Sequence, residues 1–212
     1  MHDAALFDLD GTLVNTEPRS QAAWSRLFSA HQVPCDDRLL KSFAGRPGKQ
    51  VLAEQRHLFG EVHTIEELFA EAMSYATLPA EPVPGAVEML RQLHERGVPV
   101  GVVTSGTRDY AVGELDTIGV LPLLSLLITA EDVRNGKPDP EGYLAGCRTL
   151  GSAPERTVVF EDAPAGVSAA KAAGTFCVAV TTTQPAAALA AADLVVDGFA
   201  AVRWPIFAGR PE

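Results

Sequence analysis

The sequence predicts an α/β fold: a Rossmann-like parallel sheet with helices on both faces, plus a small all-helical second unit. Three observations lead there. Short continuous apolar runs, of the kind covered on both faces of a parallel sheet, recur along the chain. Helical patterns closed by glycine alternate with them over residues 82–197. Residues 17–79 hold helical patterns and no strand-like run.

In chain order, Ala4-Ala5-Leu6-Phe7 is the first predicted strand, and others are predicted at Val98–Val103, Leu126–Ile128, Thr157–Phe160, Phe176–Val180 and Leu194–Val196. Pro84 can open a helix closed by Gly97, with Val87, Leu90 and His94 on one face. Ala111, Val112, Leu115 and Ile118 repeat at helical spacing before Gly119. Asp139 reads as an N-cap with Pro140 at the first helical position, ahead of a buried stripe of Tyr143, Leu144, Cys147 and Leu150. Pro164–Ala173 makes the next helix, ended by Gly174.

In the helical block, Trp24, Leu27, Phe28 and His31 share a face, and Val51–Phe59 reads as helix. His31 and His94 are read as partly buried structural residues. Thr64-Ile65-Glu66-Glu67 is a capping-box signal before Leu68, Phe69, Ala72 and Ala76. A stiff proline-rich return, Leu78–Pro84, closes the block. The expected domains are residues 1–15 with 82–212 as a core, and residues 16–81 as a helical insert after the first strand.

At 212 residues the chain can hold such a pair. Its 17 basic and 27 acidic residues give a formal charge of −10, which argues against nucleic acid or an anionic membrane as partner. Cys35, Cys147 and Cys177 are odd in number and lack a C-x-x-C spacing, as suits buried thiols in a reducing cytosol. The start Met1-His2-Asp3 lacks signal-peptide features, and Ala186–Ala192 is too short to cross a bilayer. A cytoplasmic monomer is expected.

Four polar clusters follow strands or precede helices: Asp8/Asp10, Thr104-Ser105-Gly106, Gly136-Lys137-Pro138 and Glu161-Asp162. In a parallel sheet all four can converge on one C-terminal edge. Asp8 and Asp10, two apart on extended backbone, point the same way, and Gly11 permits a sharp turn. The pair suits a carboxylate nucleophile with a carboxylic acid beside it. Attack by Asp8 on a phosphate monoester brings anion to dianion, at about 4 kcal/mol per charge pair at ~4 Å and an effective dielectric near 20. A divalent cation and a lysine cancel that cost. Asp8, Asp162 and Glu161 offer hard oxygen ligands suited to Mg²⁺, and Lys137 a point charge for a phosphoryl oxygen. Thr104 offers a hydroxyl, and the amides of Ser105 and Gly106 are expected to begin a helix and cradle an anion. Asp10 is left as general acid and then base. Each cluster has a plainer reading on its own: D-x-D pairs bind sugar nucleotides or cap turns, Thr104-Ser105-Gly106 and Glu161-Asp162 can be helix caps, and Lys137 a solvated loop residue.

Together these residues resemble the haloacid dehalogenase superfamily of phosphotransferases with a small helical cap, over nearly the whole chain. Asp8-x-Asp10-Gly11-Thr12 matches the first family motif, Thr104 the second, Lys137 the third, and Glu161-Asp162 with Gly166 the fourth. The resemblance implies Mg²⁺-dependent hydrolysis through an aspartyl-phosphate at Asp8, with the metal held by Asp8, the Asp10 carbonyl, Asp162 and Glu161. Longer segments, including Val103–Arg108 and Phe160–Gly166, are similar to sugar-phosphate and glycerol-phosphate phosphatases. The implied partner is a small phosphorylated metabolite. The related β-phosphoglucomutases carry a cap histidine where Ser20 stands here, which favours hydrolysis over the alternative phosphomutase reading. A non-catalytic phospho-ligand-binding protein is the third possibility. Arg46 and Lys49, in the loop Ala44–Lys49, are candidate substrate contacts from the cap, or else plain exposed loop cations.

Overall fold

The computed structural model describes residues 2–43, 48–60, 62–79 and 81–206. The chain divides into two compact units, Met1–Asn15 with Ala80–Glu212, and Thr16–Pro79.

The strands are β1 (Ala4–Phe7), β2 (Val14–Asn15), β3 (Glu81–Pro82), β4 (Val100–Val103), β5 (Leu126–Ile128), β6 (Thr157–Glu161), β7 (Phe176–Val180) and β8 (Leu194–Val196). The helices are α1 (Glu17–Ala30), α2 (Asp37–Lys41), α3 (Gly48–Glu54), α4 (Ile65–Ser74), α5 (Ala86–Glu95), α6 (Arg108–Thr117), α7 (Glu141–Leu150) and α8 (Pro164–Ala172).

In the first unit, six parallel strands run in the order β5-β4-β1-β6-β7-β8. The chain winds outward from β1 in both directions, so the edge beyond β1 is a topological switch point, where such sheets bind ligands. Alternation along β1 separates the two faces. Ala5, Phe7 and Leu9 enter one buried cluster with Val87, Leu90, Leu93, Ala111 and Leu115. Leu6 enters the other with Tyr143, Cys147, Val167 and Ala170. β1 ends at Phe7, so Asp8 and Asp10 follow it beyond the strand at the edge of the sheet. At roughly 1.5–3 kcal/mol for each large apolar side chain buried, these clusters hold the strand ends in register.

The predicted strands all form, the second beginning at Val100 rather than Val98. One ladder escapes sequence reading: β2 and β3 pair antiparallel, Val14 opposite Pro82, where the chain leaves and re-enters the first unit. Pro82 sits in an edge strand, where its missing amide costs nothing. That pairing also brings Glu81 beside Asn15, one residue earlier than the expected boundary at 82. On α5 the buried stripe is Ala86, Val87, Met89, Leu90 and Leu93, which leaves His94 exposed rather than sharing the buried face. Val112 is likewise 37% exposed, because α6 buries Ala111, Glu114 and Leu115.

The second unit is all-helical among its described residues. Trp24, Leu27 and Phe28 of α1, Val51 and Leu52 of α3, and Leu68 and Ala72 of α4 make its core with Phe43 and Phe59. Trp24 stacks on Phe43 at 4.4 Å between ring centroids. His31 is half-buried, its Nε2 2.8 Å from Glu71 Oε2. The capping box forms as predicted: Thr64 Oγ1 accepts from the Glu67 amide at 3.1 Å, and Glu67 Oε2 from the Thr64 amide at 2.8 Å. Val51–Phe59 splits into α3 and a 3₁₀ turn at Arg56–Leu58.

Thr64→Ala is expected to cost this unit about 1 kcal/mol. Chemical denaturation followed by Trp24 emission, in a Trp204→Phe background that silences the other tryptophan, checks it.

Candidate active site

The edge beyond β1, β4 and β6 gathers the predicted clusters. The register sets Phe7 opposite Val102 and Phe160, and the Asp8 amide donates to the Phe160 carbonyl at 3.0 Å. Asp8 therefore lies level with Glu161, and Thr104 follows directly on the neighbouring strand. Asp8, Glu161 and Asp162 are all buried, and one carboxylate oxygen from each lies within 4.8 Å of the others.

Lys137 answers this negative charge. Its Nζ donates to Asp8 Oδ1 at 2.5 Å and to Glu161 Oε1 at 2.7 Å. The loop carrying it is fastened from α7. Glu141 accepts from the amides of Arg134 and Asn135, each at 3.0 Å, and these bonds hold its carboxyl below the usual range. Asp139 Oδ1 in turn accepts from the Glu141 amide at 2.9 Å, so Asp139 caps α7 by side chain although Pro140 occupies the N-cap position. Burial alone would lower the Lys137 ammonium, but Asp8 and Glu161 outweigh it and hold the lysine well above its usual value. Thr104, Ser105 and Lys137 line one cavity of about 150 Å³, walled by Val103, Ile128 and Tyr143.

Glu161 has both oxygens engaged. Oε1 accepts from Lys137 and, at 2.6 Å, from the Tyr143 hydroxyl; Oε2 accepts from the amides of Asp162 and Ala163 at 3.1 and 3.3 Å. Burial and the charges of Glu161 and Asp8 push the Tyr143 phenol well above its usual value, so it stays a donor. Asp162 is held by Thr12 Oγ1 at 3.3 Å and by the Thr183 hydroxyl. Gly11, at φ +83°, makes room for this: a Cβ there would come within 2.1 Å of Asp162 Oδ2.

Sequence reasoning missed Tyr143 and Thr183 as site residues. Tyr143 was placed in a buried stripe, where a phenol needs a partner, and that need was the available signal. Thr183 follows β7 as the other polar clusters follow their strands. The helix after Thr104 also differs from expectation. It starts at Arg108, whose amide meets both Glu131 oxygens at 3.1 Å, and the Gly106 amide donates to Thr104 Oγ1 at 3.0 Å. The amides of Ser105 and Gly106 thus precede the helix instead of opening it. The Asp10 carboxylate is half-exposed and accepts from the Tyr110 hydroxyl. In the second unit, Lys49 stands on α3 with its ammonium 5.3 Å from the centre of the Phe69 ring; Arg46 lies outside the described residues.

Three carboxylates against one ammonium leave negative charge in excess, and carboxylate oxygens are hard donors. The set fits a divalent cation. In the metal-free site, burial, opposed by Lys137 and reinforced by the neighbouring acids, raises Asp8. Burial, then the Glu161 charge, push Asp162 up to about 7, against the hydrogen bonds of Thr183 and Thr12.

A family model described as haloacid dehalogenase-like hydrolase matches residues 2–174. The chain belongs to this family. Validoxylamine A 7'-phosphate phosphatase from Streptomyces hygroscopicus subsp. limoneus is 54% identical to it, covering 97% of this chain and 98% of that one. Hexitol phosphatase A of Escherichia coli is 36% identical over 90% of this chain and 88% of its own. The solved β-phosphoglucomutase of Clostridium difficile shares the fold of this haloacid dehalogenase-like hydrolase, at a TM-score of 0.74 and 24% identity over 96% and 94% of the two chains.

The raised Asp162 gives a pH dependence with a defined sign. Its folded value, about 7, exceeds the ordinary carboxylate value of about 4, so the metal-free fold favours the protonated form and loses stability as pH rises through that window. A divalent cation binds only the ionised form and removes the penalty. Added Mg²⁺ is expected to raise the melting temperature more at pH 8 than at pH 6, with proton release seen by calorimetry in buffers of different ionisation enthalpy. An equal or larger shift at pH 6 would contradict the assignment.

Proposed function

We propose that the protein hydrolyses small sugar or polyol phosphate monoesters through an aspartyl-phosphate at Asp8, with Mg²⁺ as the divalent ion. The observation that carries this reading is the bridge of Lys137 between Asp8 and Glu161, with the Asp162 carboxylate beside them at the sheet edge. Bound Mg²⁺ supplies charge neutralisation between the nucleophile and the phosphoryl oxygens. Asp8 and Asp162 would hold it, with the Asp10 carbonyl. Glu161, already accepting four hydrogen bonds, sets the position of Lys137 and of the Asp162 backbone.

The protein's own groups do the rest. Asp8 Oδ attacks phosphorus as the ester oxygen leaves, and Asp10 gives that oxygen its proton. Water then attacks the aspartyl-phosphate, and Asp10 takes its proton back. Thr104 Oγ1 already accepts from the Gly106 amide, so its hydroxyl hydrogen points away, toward a phosphoryl oxygen. Lys137 steadies a second oxygen. Ser105, which lines the cavity with Thr104 and Lys137, and Gly106 beside it are the proposed contacts to the phosphoryl group.

The substrate class rests on the relatives, whose names are those of phosphatases of validoxylamine A 7'-phosphate and of hexitols. Arg46 and Lys49 are proposed to contact the organic part of the ester. A phosphomutase would need a proton shuttle in the cap, and α1 carries Ser20 at the position that the resemblance assigns to it.

Asp8→Asn is expected to lower turnover by at least about 10³-fold, since no other group supplies the nucleophile. It removes one of three crowded carboxylates, so the metal-free melting temperature should hold or rise. The assay is phosphate release from validoxylamine A 7'-phosphate and from hexitol, hexose, pentose and glycerol phosphates. Isomerised ester without free phosphate would instead favour a mutase. Near-normal turnover by Asp8→Asn would remove Asp8 as nucleophile.

A further inference from the structure

Asp10 has to be oriented toward the leaving group, and a side chain outside the four motifs holds its carboxylate. Tyr110, the third residue of α6, donates its hydroxyl to Asp10 Oδ1 at 2.5 Å across 100 positions of sequence. The ring is firmly mounted. It packs against the buried cluster on that side of the sheet, and it lies directly on the loop after Thr104, where a Cβ on Gly106 would come within 2.8 Å of the ring's Cδ1. Glu131 caps the amide at the start of the same helix, and the Arg108 guanidinium reaches Asp132 at 2.5 Å.

We propose that Tyr110 is a positioning residue for the acid/base: its hydrogen bond fixes the orientation of the Asp10 carboxyl that exchanges the proton. This rests on the phosphatase reading above. In the first step the Asp8 oxygen–phosphorus bond forms and the phosphorus–ester oxygen bond breaks. The electron pair stays on the departing oxygen, which takes the proton from the Asp10 carboxyl. In the second step water attacks phosphorus, its proton passes to the Asp10 carboxylate, and the Asp8 carboxylate departs. Tyr110 keeps its own proton throughout, and Phe at this position would keep the packing and lose only the donor.

The test compares two leaving groups. The ratio kcat/KM covers only the steps through transfer of phosphorus to Asp8, so later hydrolysis does not enter it. An alkyl ester such as glycerol phosphate departs as an alkoxide and needs the acid; p-nitrophenyl phosphate departs as a stabilised phenolate and does not. Tyr110→Phe is expected to lower kcat/KM for the alkyl ester about tenfold or more while changing the aryl ester less than about twofold. In an Asp10→Asn background the same substitution is expected to add less than about twofold on the alkyl ester. Equal losses on both esters, a loss that persists in Asp10→Asn, or no loss at all would overturn the proposal. Wild-type enzyme that releases phosphate from neither ester would instead defeat the phosphatase reading. Wild-type turnover that is indifferent to Tyr110→Phe would defeat this inference alone.

Discussion

Three buried carboxylates share one ammonium at the edge of the sheet, and the rest of the core unit is arranged to hold that imbalance in place. The Lys137, Asp8 and Glu161 side chains are 12%, 11% and 1% exposed, so their charges are set against one another with little water between them. Buried ion pairs of this kind are weak contributors to stability, because desolvation offsets their attraction. Their value here is positional: Lys137, Asp8 and Glu161 are forced to one point. The negative charge left over suits a divalent cation, and a phosphate ester can then approach a site that would otherwise repel it.

The sheet makes the convergence possible. β1 lies between β4 and β6, so residues more than a hundred positions apart become neighbours at one edge. The supporting bonds then run from the flanking helices inward. α7 fixes the lysine loop through Glu141 and reaches the carboxylates through Tyr143; α6 is tied to the next loop through Glu131 and reaches Asp10 through Tyr110. Glu161, Asp10 and the lysine loop are thus each held by a group on a helix, the arrangement that precise positioning requires.

What the sequence revealed, and what it hid, follows the range of the interactions. The place of Asp8 and Asp10 at the end of an apolar strand was legible, because both the run and the spacing are local properties of the sequence. The strand ends, the Thr64 capping box and the glycine stops were legible for the same reason. The bonds of Tyr143, Tyr110 and Thr183 to the acids were not, since they join segments that only the folded sheet brings together. Tyr143 shows the difference within one residue: helical spacing placed its ring in the core, while its hydroxyl found a carboxylate that no spacing rule names. The two-residue ladder at Val14 and Pro82 carries too few residues to show a pattern. The exposure of His94 was decided by Leu93 beside it, a choice made by packing.

A crystal structure grown with Mg²⁺ and beryllium trifluoride, a mimic of the phosphoryl group, tests the central claim most directly. The account expects beryllium bonded to an Asp8 carboxylate oxygen, the metal between Asp8 and Asp162, and Lys137 against a fluorine with its bond to Glu161 kept. Beryllium on another residue, or a metal bound away from Asp8 and Asp162, would contradict it.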